Sequence, residues 1–343
     1  MQRISFSLTQ RWAAFLCVVC WACSVGAVDT RGANEFVGKS FDARDSIGEI
    51  EESSDDARRC LQGHAWKPAG FEVKIESAEG TSGDLLVRFP SPVETGDAVN
   101  DRVAMEWYLA RDEKLQPIKA PAVVVVHESG KGMTVGRKFA VGLRSMGLHT
   151  LMVQLPDYGH RRSDEKGDDI GRLILHMRQG IADVRRARDA VAALPMIDAE
   201  TISVQGTSLG GFVAANAAAL DGSFDGVFLM LAGGDLYDLV ENGAKDAAKV
   251  REELKSLGVT DERLKEILWR VEPNRIAHRL PAERTWLYSG KNDTVVPIKN
   301  AESLAEAARL DPSHHIQFRA DHYSGVIYLP MVLSHIRKQI HAE

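Results

Sequence analysis

The strongest constraint on the fold is the run Ala122-Val-Val-Val-Val126, which is apolar and mostly β-branched. Runs without polar alternation are typical of strands that are buried on both faces of a parallel sheet. Shorter runs of the same kind follow at Thr150–Gln154, Thr201–Gln205, Gly226–Leu231, Thr285–Tyr288 and Ile316–Phe318. Helical patterns separate most of these runs. The alternation predicts an α/β protein with a mostly parallel central sheet and right-handed crossovers.

Three earlier segments have a different pattern. Phe71–Ile75 alternates apolar and polar residues, as a half-buried strand does. Asp84–Phe89 and Val103–Leu109 are predicted as two further strands, separated by the turn-rich segment Pro90–Asp101. We expect these strands to form an antiparallel edge of the sheet.

Composition and charge limit the classes of function. With 343 residues, 44% of them apolar and 26% charged, the chain has the make-up of a soluble enzyme with a sizeable core. Its formal net charge of -6 gives no basic footprint of the kind that nucleic-acid binders carry. We therefore expect no nucleic-acid partner.

Residues 1–27 have the pattern of an export signal. Arg3 and Arg11 precede the uncharged apolar stretch Trp12–Val25, and Val25-Gly26-Ala27 offers small residues for cleavage. The stretch is shorter than the roughly 20 apolar residues that a membrane span requires. The prediction is a cleaved signal, an exported protein (periplasmic or extracellular) and no membrane association after cleavage, with a retained anchor as the alternative.

Cysteine usage fits a fold that has no disulfide. Cys17, Cys20 and Cys23 lie in the predicted signal, so Cys60 is the one cysteine left after cleavage. A single cysteine cannot form an internal disulfide, and we interpret Cys60 as a free, inert thiol, with an intermolecular link as the alternative.

The remaining chain divides into an arm and a domain. Residues 28–66 are polar and acidic and sustain no apolar period, so we predict a flexible arm there and an α/β domain over 67–343. Within that domain, residues 235–282 contain no good strand but two helical patterns, around Glu241–Leu257 and Asp261–Val271. This insertion is either a helical cap or a pair of ordinary covering helices.

The segment Gly206-Thr207-Ser208-Leu209-Gly210 carries the most specific chemistry. It matches G-x-S-x-G, follows the strand pattern Thr201–Gln205 and leads into an alanine-rich helix. That context is typical of a nucleophile elbow, in which a tight turn exposes a strained serine and glycines remove side-chain clashes. We predict Ser208 as a nucleophile. The backbone N–H of Leu209, at the helix N-terminus, is predicted to stabilise the negative charge that develops on the substrate.

With these motifs, the chain resembles the α/β-hydrolase superfamily from about Phe71 to its C-terminus. The resemblance implies a triad in the order serine, acid, histidine. His322 follows the last predicted strand and would share its sheet edge with Ser208, so we predict it as the base. His314 and His315 precede that strand, at the wrong end of the sheet, and two further histidines, His335 and His341, lie in the last helical segment.

The resemblance also suggests the acid. Gly290-Lys-Asn-Asp293-Thr-Val-Val-Pro297 matches a G-x-x-D-x-x-V-P pattern that commonly ends the superfamily's penultimate strand. We predict that Asp293 orients His322. Asp235 is the alternative, because some relatives place the acid one strand earlier. Asp321 adjoins the histidine and is poorly placed to support it.

The loop after the valine run reads His127-Glu128-Ser129 and resembles the dienelactone-hydrolase branch of the superfamily. The resemblance implies that Ser129 supplies a second N–H to the oxyanion, and that Glu128 lies near the nucleophile and influences its protonation. That branch uses a cysteine nucleophile where this chain has Ser208, so lactone specificity does not carry over. His127 is interpreted as a structural hydrogen-bonding residue.

The loop Leu155–Arg162 resembles the superfamily's P-D-x-G-x loop, and we expect it to border the entrance of the site. Its basic residues are interpreted as a solvated surface, with contact to an anionic substrate as the alternative.

Together these residues predict two-step acyl transfer on a small-molecule or carbohydrate-linked ester, with no metal or organic cofactor. Two rival functions stay open. One is a serine peptidase related to the prolyl-oligopeptidase catalytic domain, and the other is a catalytically silent binding module on the same fold. The pattern makes no prediction of the oligomeric state.

Overall fold

The computed structural model describes residues 32–163, 170–256 and 258–341. The predicted signal, residues 1–27, lies outside them. Within these ranges the chain builds one ten-stranded sheet in the order β1-β2-β3-β4-β6-β5-β7-β8-β9-β10. Its strands are β1 (Ser40–Arg44), β2 (Gly70–Ser77), β3 (Leu85–Pro90), β4 (Arg102–Tyr108), β5 (Ala120–Val126), β6 (His149–Gln154), β7 (Ile197–Thr207), β8 (Val227–Met230), β9 (Thr285–Gly290) and β10 (His315–Phe318).

The pairing of the strands confirms the predicted layout. From β1 to β4, and from β4 to β6, neighbouring strands pair antiparallel. From β6 through β5 to β10, every pairing is parallel. The structure is therefore an α/β fold with a mostly parallel sheet and an antiparallel edge.

Nine helices belong to the described ranges, beside several short 3₁₀ turns. They are α1 (Asp55–Gln62), α2 (Thr134–Arg144), α3 (Ile170–Ala192), α4 (Leu209–Ala219), α5 (Leu236–Asn242), α6 (Asp246–Ser256), α7 (Asp261–Trp269), α8 (Ile298–Ala307) and α9 (Leu329–Ile340). Across the described residues, none of these helices combines the length and the apolar character needed to cross a membrane.

The valine run owes its unbroken apolar character to burial on both sides of the sheet. Val124 and Val126 belong to a core that includes residues of α3 and α4. Val123 and Val125 face a second core that includes residues of α2 and α9. Burial contributes about 1.5 to 3 kcal/mol for each such side chain. Burial on both faces therefore stabilises β5 as a central strand of the sheet.

The prediction of a flexible arm at residues 28–66 is wrong for its described part, residues 32–66. β1 pairs with β2, and α1 places Cys60 and Leu61 in the core. Two of the acidic residues have distant arginine partners: Asp45 lies 2.6 Å from Arg186, and Asp56 lies 2.8 Å from Arg275. These partners are far away in sequence, so the local pattern could not indicate that the segment packs against the α/β domain.

Cys60 is buried in this packed segment. Burial raises the pKa of its thiol to about 11, so the thiolate is scarce at neutral pH. This environment is that of an inert structural cysteine.

Three helices occupy residues 236–269, between β8 and β9, where the sequence indicated two helical patterns. The first pattern is interrupted because Gly243 and Lys245 separate α5 from α6. A Cβ at Gly243 would lie 2.4 Å from the Leu239 carbonyl oxygen, and Lys245 has a positive φ of 55°. The turn therefore requires a residue without a side chain at position 243.

Candidate active site

Ser208 occupies the sharp turn between β7 and α4. Its backbone has φ 52° and ψ -118°, a conformation that is strained for a residue with a side chain. The Ser208 N–H donates to the Met230 carbonyl at 2.9 Å, which fastens the turn to the end of β8. The strand–turn–helix geometry predicted for this serine is confirmed.

The two glycines of the motif permit close backbone contacts. A Cβ on Gly206 would lie 2.2 Å from the Gly210 carbonyl oxygen. A Cβ on Gly210 would lie 2.2 Å from the Val126 carbonyl oxygen and 2.5 Å from that of His127. The start of α4 is thus pressed against the end of β5, where the predicted oxyanion loop begins.

Gly210→Ala is expected to destabilise the protein by about 1 to 3 kcal/mol or more, because rigid backbone atoms cannot yield to the new methyl group. Equilibrium unfolding in urea measures the change. Gly48→Ala is the matched control, since a Cβ at Gly48 meets nothing within 4 Å. Equal stability of the two variants would contradict the tight packing of the elbow.

Ser208, His322 and Asp293 form a continuous hydrogen-bonded chain. The Ser208 Oγ lies 3.0 Å from His322 Nε2, and His322 Nδ1 lies 2.7 Å from Asp293 Oδ2. A carboxylate beside Nδ1 favours the proton on that nitrogen, which leaves Nε2 free to accept from the serine hydroxyl. The side chains of His322 and Asp293 are only 9% and 1% exposed, so little water competes for these bonds.

The Asp293 carboxylate is held by its own turn. Its Oδ1 accepts from the N–H groups of Val295 at 2.8 Å and Val296 at 2.9 Å, which leaves Oδ2 for His322. The turn also adjoins the loop that carries the histidine, because the Asn292 N–H donates to the Ala320 carbonyl at 3.0 Å. The acid and the base are therefore positioned by two loops bonded to each other.

The alternative acids have other partners. Asp235 caps α5 by accepting from the Asp238 N–H at 3.2 Å. Asp321 accepts from the N–H groups of Tyr323 and Ser324 at 3.0 and 2.8 Å. Among the described residues, neither carboxylate hydrogen-bonds to the His322 imidazole.

The other late histidines that were considered contact different parts of the sheet. His314 Nδ1 lies 3.0 Å from the carbonyls of Ala282 and Thr285, at the start of β9 and thus at the opposite end of that strand from Asp293. His335 Nδ1 lies 2.7 Å from the Tyr288 hydroxyl oxygen. His315 Nε2 lies 2.5 Å from the Ser289 hydroxyl oxygen. The structure brings His322, and none of these three, to Ser208.

His127 holds the predicted oxyanion loop in shape. Its Nδ1 donates to the Glu128 carbonyl at 2.6 Å, and its Nε2 accepts from the Leu155 N–H at 3.1 Å. Burial lowers the pKa of His127, which keeps the ring neutral and able to serve as donor and acceptor at once. The interpretation of His127 as a structural residue is confirmed. The Tyr158 hydroxyl adds a bond to the Ser129 carbonyl at 2.8 Å.

The Glu128 carboxylate accepts hydrogen bonds from two backbone N–H groups. Its Oε1 accepts from the Val135 N–H and its Oε2 from the Gly136 N–H, both at 3.0 Å. The carboxylate therefore satisfies unpaired donors at the start of α2, where negative charge is favourable. These contacts fix the loop, and the expected influence of Glu128 on the nucleophile stays a prediction. The donor roles of the Leu209 and Ser129 amides stay predictions.

Arg161, in the basic loop after β6, is not accessible to a ligand. Arg161 is fully buried and lies 2.7 Å from Asp183, which is also fully buried. The Arg161 Nε donates to the Asn100 carbonyl at 2.8 Å. For Arg161, the interpretation as a solvated surface residue and the alternative of contact with an anionic substrate are therefore both wrong.

A contact that the sequence did not indicate joins the insertion to the site. Tyr323 is 50% exposed, and its hydroxyl donates to Asp246 Oδ2 at 2.9 Å. The Lys245 ammonium lies 4.6 Å from the centre of the same ring. The Ala244 N–H donates to the Thr294 carbonyl at 2.7 Å. The turn between α5 and α6 therefore contacts the loops of both the acid and the base.

Tyr323→Phe is expected to lower kcat/KM by about two- to tenfold, the worth of one hydrogen bond, because it releases that turn from the histidine loop. Steady-state hydrolysis of aryl esters measures the effect. Tyr237→Phe is the matched control, since the Tyr237 hydroxyl donates to Asp261 and both residues belong to the insertion. If the two variants change activity equally, the Tyr323 contact has no particular effect on the site.

Comparison with known proteins identifies the fold. No protein-family model and no curated protein matches the chain. An acetyl xylan esterase from Paenibacillus sp. R4 is similar in structure, with a TM-score of 0.58 and 16% identity over 84% of this chain and 97% of that one. Acetyl xylan esterase 1 from Thermoanaerobacterium sp. JW/SL YS485 gives a TM-score of 0.57 and 14% identity over 89% and 98%. A puromycin-hydrolyzing peptidase of Mycobacterium tuberculosis gives 0.53 and 15% over 79% and 45%.

The sheet order, the nucleophile elbow and these neighbours agree on one architecture. The chain has the α/β-hydrolase fold.

Proposed function

We propose that this protein is an exported serine hydrolase that cleaves carboxylic esters through an acyl-enzyme. The observation that carries the proposal is the chain of contacts from Ser208 Oγ to His322 Nε2, 3.0 Å, and from His322 Nδ1 to Asp293 Oδ2, 2.7 Å. A serine hydroxyl is a weak nucleophile unless an oriented base removes its proton. The strained backbone of Ser208 presents this hydroxyl at the end of the sheet.

The proposed reaction has two steps. Ser208 Oγ attacks the ester carbonyl carbon while His322 Nε2 takes its proton, and the resulting oxyanion accepts from the N–H groups of Leu209 and Ser129. The imidazolium returns the proton to the departing alcohol oxygen as the carbon–oxygen bond breaks. A water molecule then attacks the acyl-enzyme by the same route, and the carboxylic acid and free Ser208 are released.

The proposed substrate is a small-molecule or carbohydrate-linked ester. Two structural neighbours carry the name acetyl xylan esterase, and the chain aligns with 97% and 98% of their lengths. This similarity supports a short acyl group on a carbohydrate as the first class of ester to test. Export through residues 1–27 is consistent with a substrate outside the cytoplasm.

A serine peptidase is the second candidate function. The neighbour named as a puromycin-hydrolyzing peptidase has a TM-score of 0.53, although the chain aligns with only 45% of its length. The triad chemistry is the same for an amide, but the leaving nitrogen is a poorer leaving group and must receive the His322 proton.

A panel of aryl esters of graded acyl length, acetylated xylan and aryl amides of short peptides tests the proposal. We expect turnover of at least one ester at kcat/KM above that of the amides. Cleavage of the amides with no turnover of any ester would favour the peptidase. No reaction with either class would favour a binding module.

A further inference from the structure

A cleft that is separate from the candidate active site lies on the antiparallel part of the sheet. It is open to solvent and has a volume of about 530 Å³, which is suited to a small molecule. Its walls come from β2, β3, the first residue of β4 and the loop between β3 and β4, and they include Lys74, Arg88, Ser91, Glu94, Asp101 and Arg102. None of these residues belongs to the proposed triad.

Arg88 is the unusual member of this lining. The residue is only 8% exposed, yet its Nε and Nη1 atoms make no hydrogen bond to any described residue. Burying a guanidinium without a partner is costly, and most buried arginines are paired with carboxylates or carbonyls. Burial, together with the charge of Arg102, lowers the pKa of Arg88 to about 10, which still leaves it charged at neutral pH.

The acidic residues of the cleft do not satisfy this charge. The Asp101 carboxylate is used by its own loop, accepting from the Thr95 and Gly96 N–H groups at 2.9 Å and from the Gln179 side chain at 2.8 Å. Glu72 and Glu94 also line the cleft, but they are exposed and make no ion pair with Arg88 within the described ranges.

Two further cations lie beside Arg88 on the same face. Lys74 is directly opposite Arg88 in the register of β2 and β3. Arg102 pairs with Pro90, two residues along, and its side chain lies 2.5 Å from Glu76. The Arg102 side chain is therefore paired with a carboxylate, whereas Lys74, which also lines the cleft, makes no ion pair within the described residues.

We propose that this cleft binds a small molecule through an oxyanion, a carboxylate or a phosphate or sulfate group, with Arg88 as the principal donor. A guanidinium presents five N–H donors in a planar fork that matches such groups. The bound anion would offset the cost of burying Arg88 and would extend toward Lys74. This proposal does not depend on the hydrolase activity of Ser208.

Isothermal titration of the whole protein with sodium sulfate, sodium phosphate and sodium glucuronate tests the proposal, with sodium chloride at matched ionic strength as background. We expect at least one of the three anions to bind saturably, with a millimolar or lower Kd. Binding of sulfate or phosphate alone identifies a phosphate- or sulfate-bearing ligand, and binding of glucuronate alone identifies a carboxylate. Absence of saturable binding of all three up to 50 mM, a concentration about tenfold above a weak millimolar Kd, overturns the proposal.

Arg88→Met separates this role from a structural one. We expect the variant to lose about tenfold or more in affinity. The control is Arg263→Met, at an exposed arginine of α7 that pairs with Glu266 and does not line the cleft, and we expect it to change the affinity by less than about threefold. Thermal unfolding in chloride should give Arg88→Met a Tm equal to or above that of the parent, because an unpaired buried charge has been removed. Unchanged binding, or a lower Tm, contradicts the assignment. If Arg88→Met does not fold, Arg88→Lys takes its place; we expect it to bind the anion more weakly because an ammonium lacks the planar fork of donors, and unchanged affinity contradicts the assignment.

Discussion

Ser208→Ala is expected to lower kcat for ester hydrolysis by about 10⁴- to 10⁶-fold, close to the rate that binding and oxyanion stabilisation alone provide. The substitution removes the oxygen that lies 3.0 Å from His322 Nε2. No neighbouring hydroxyl is held by the base in the same way among the described residues. Steady-state hydrolysis of an aryl acetate measures the loss, with circular dichroism as the check on folding.

Ser129→Ala is the matched control for this experiment. The proposed contribution of Ser129 is its backbone N–H, which the substitution keeps, and its carbonyl still accepts from the Tyr158 hydroxyl at 2.8 Å. We expect kcat/KM to change by less than about threefold. Retained activity in Ser208→Ala, or an equal loss in both variants, would be inconsistent with Ser208 as the nucleophile.

Asp293→Asn is expected to lower kcat by about 10⁴-fold while leaving the fold intact. The physical reason lies in the way the turn holds the carboxylate. Because the Val295 and Val296 N–H groups donate to Oδ1, an asparagine at this position would keep its oxygen there and turn its amide group toward His322. That amide would donate to Nδ1 and move the imidazole proton to Nε2, which then cannot accept from Ser208.

Two other aspartates provide controls for this substitution. Asp235→Asn and Asp321→Asn remove the carboxylates that were considered as alternative acids, and both carboxylates are engaged by backbone N–H groups of their own turns. We expect each to keep kcat within about fivefold of the parent. A large loss of kcat in Asp235→Asn, combined with an active Asp293→Asn, would identify Asp235, which follows β8, as the acid of the triad.

The central strands and the elbow were predictable because their signals are local. Val123–Val126 is apolar throughout because each face of β5 meets a separate core. Gly206 and Gly210 are required by backbone atoms within the turn itself or at the end of the adjoining strand. The order of the triad along the chain then restricts the base and the acid to two loops.

The features that were missed depend on partners that lie outside the local sequence pattern. β1 is held by pairing with β2 and by ion pairs such as Asp45 with Arg186, so its own polar pattern resembles a solvated segment. Glu128 has its role because α2 begins beside it, and no motif in the loop indicates which way its carboxylate points. The contact of Tyr323 with Asp246 likewise exists only because two loops meet at one edge of the sheet.

The central claim, that Ser208 is a nucleophile activated by His322, is tested most directly by covalent labelling with a fluorophosphonate followed by peptide mass spectrometry. The account predicts one phosphonyl adduct, on the peptide that contains Ser208. His322→Ala should slow labelling by about 10³-fold or more, because the base no longer removes the proton. An unlabelled protein that still hydrolyses esters, or an adduct on a different serine, would contradict the account.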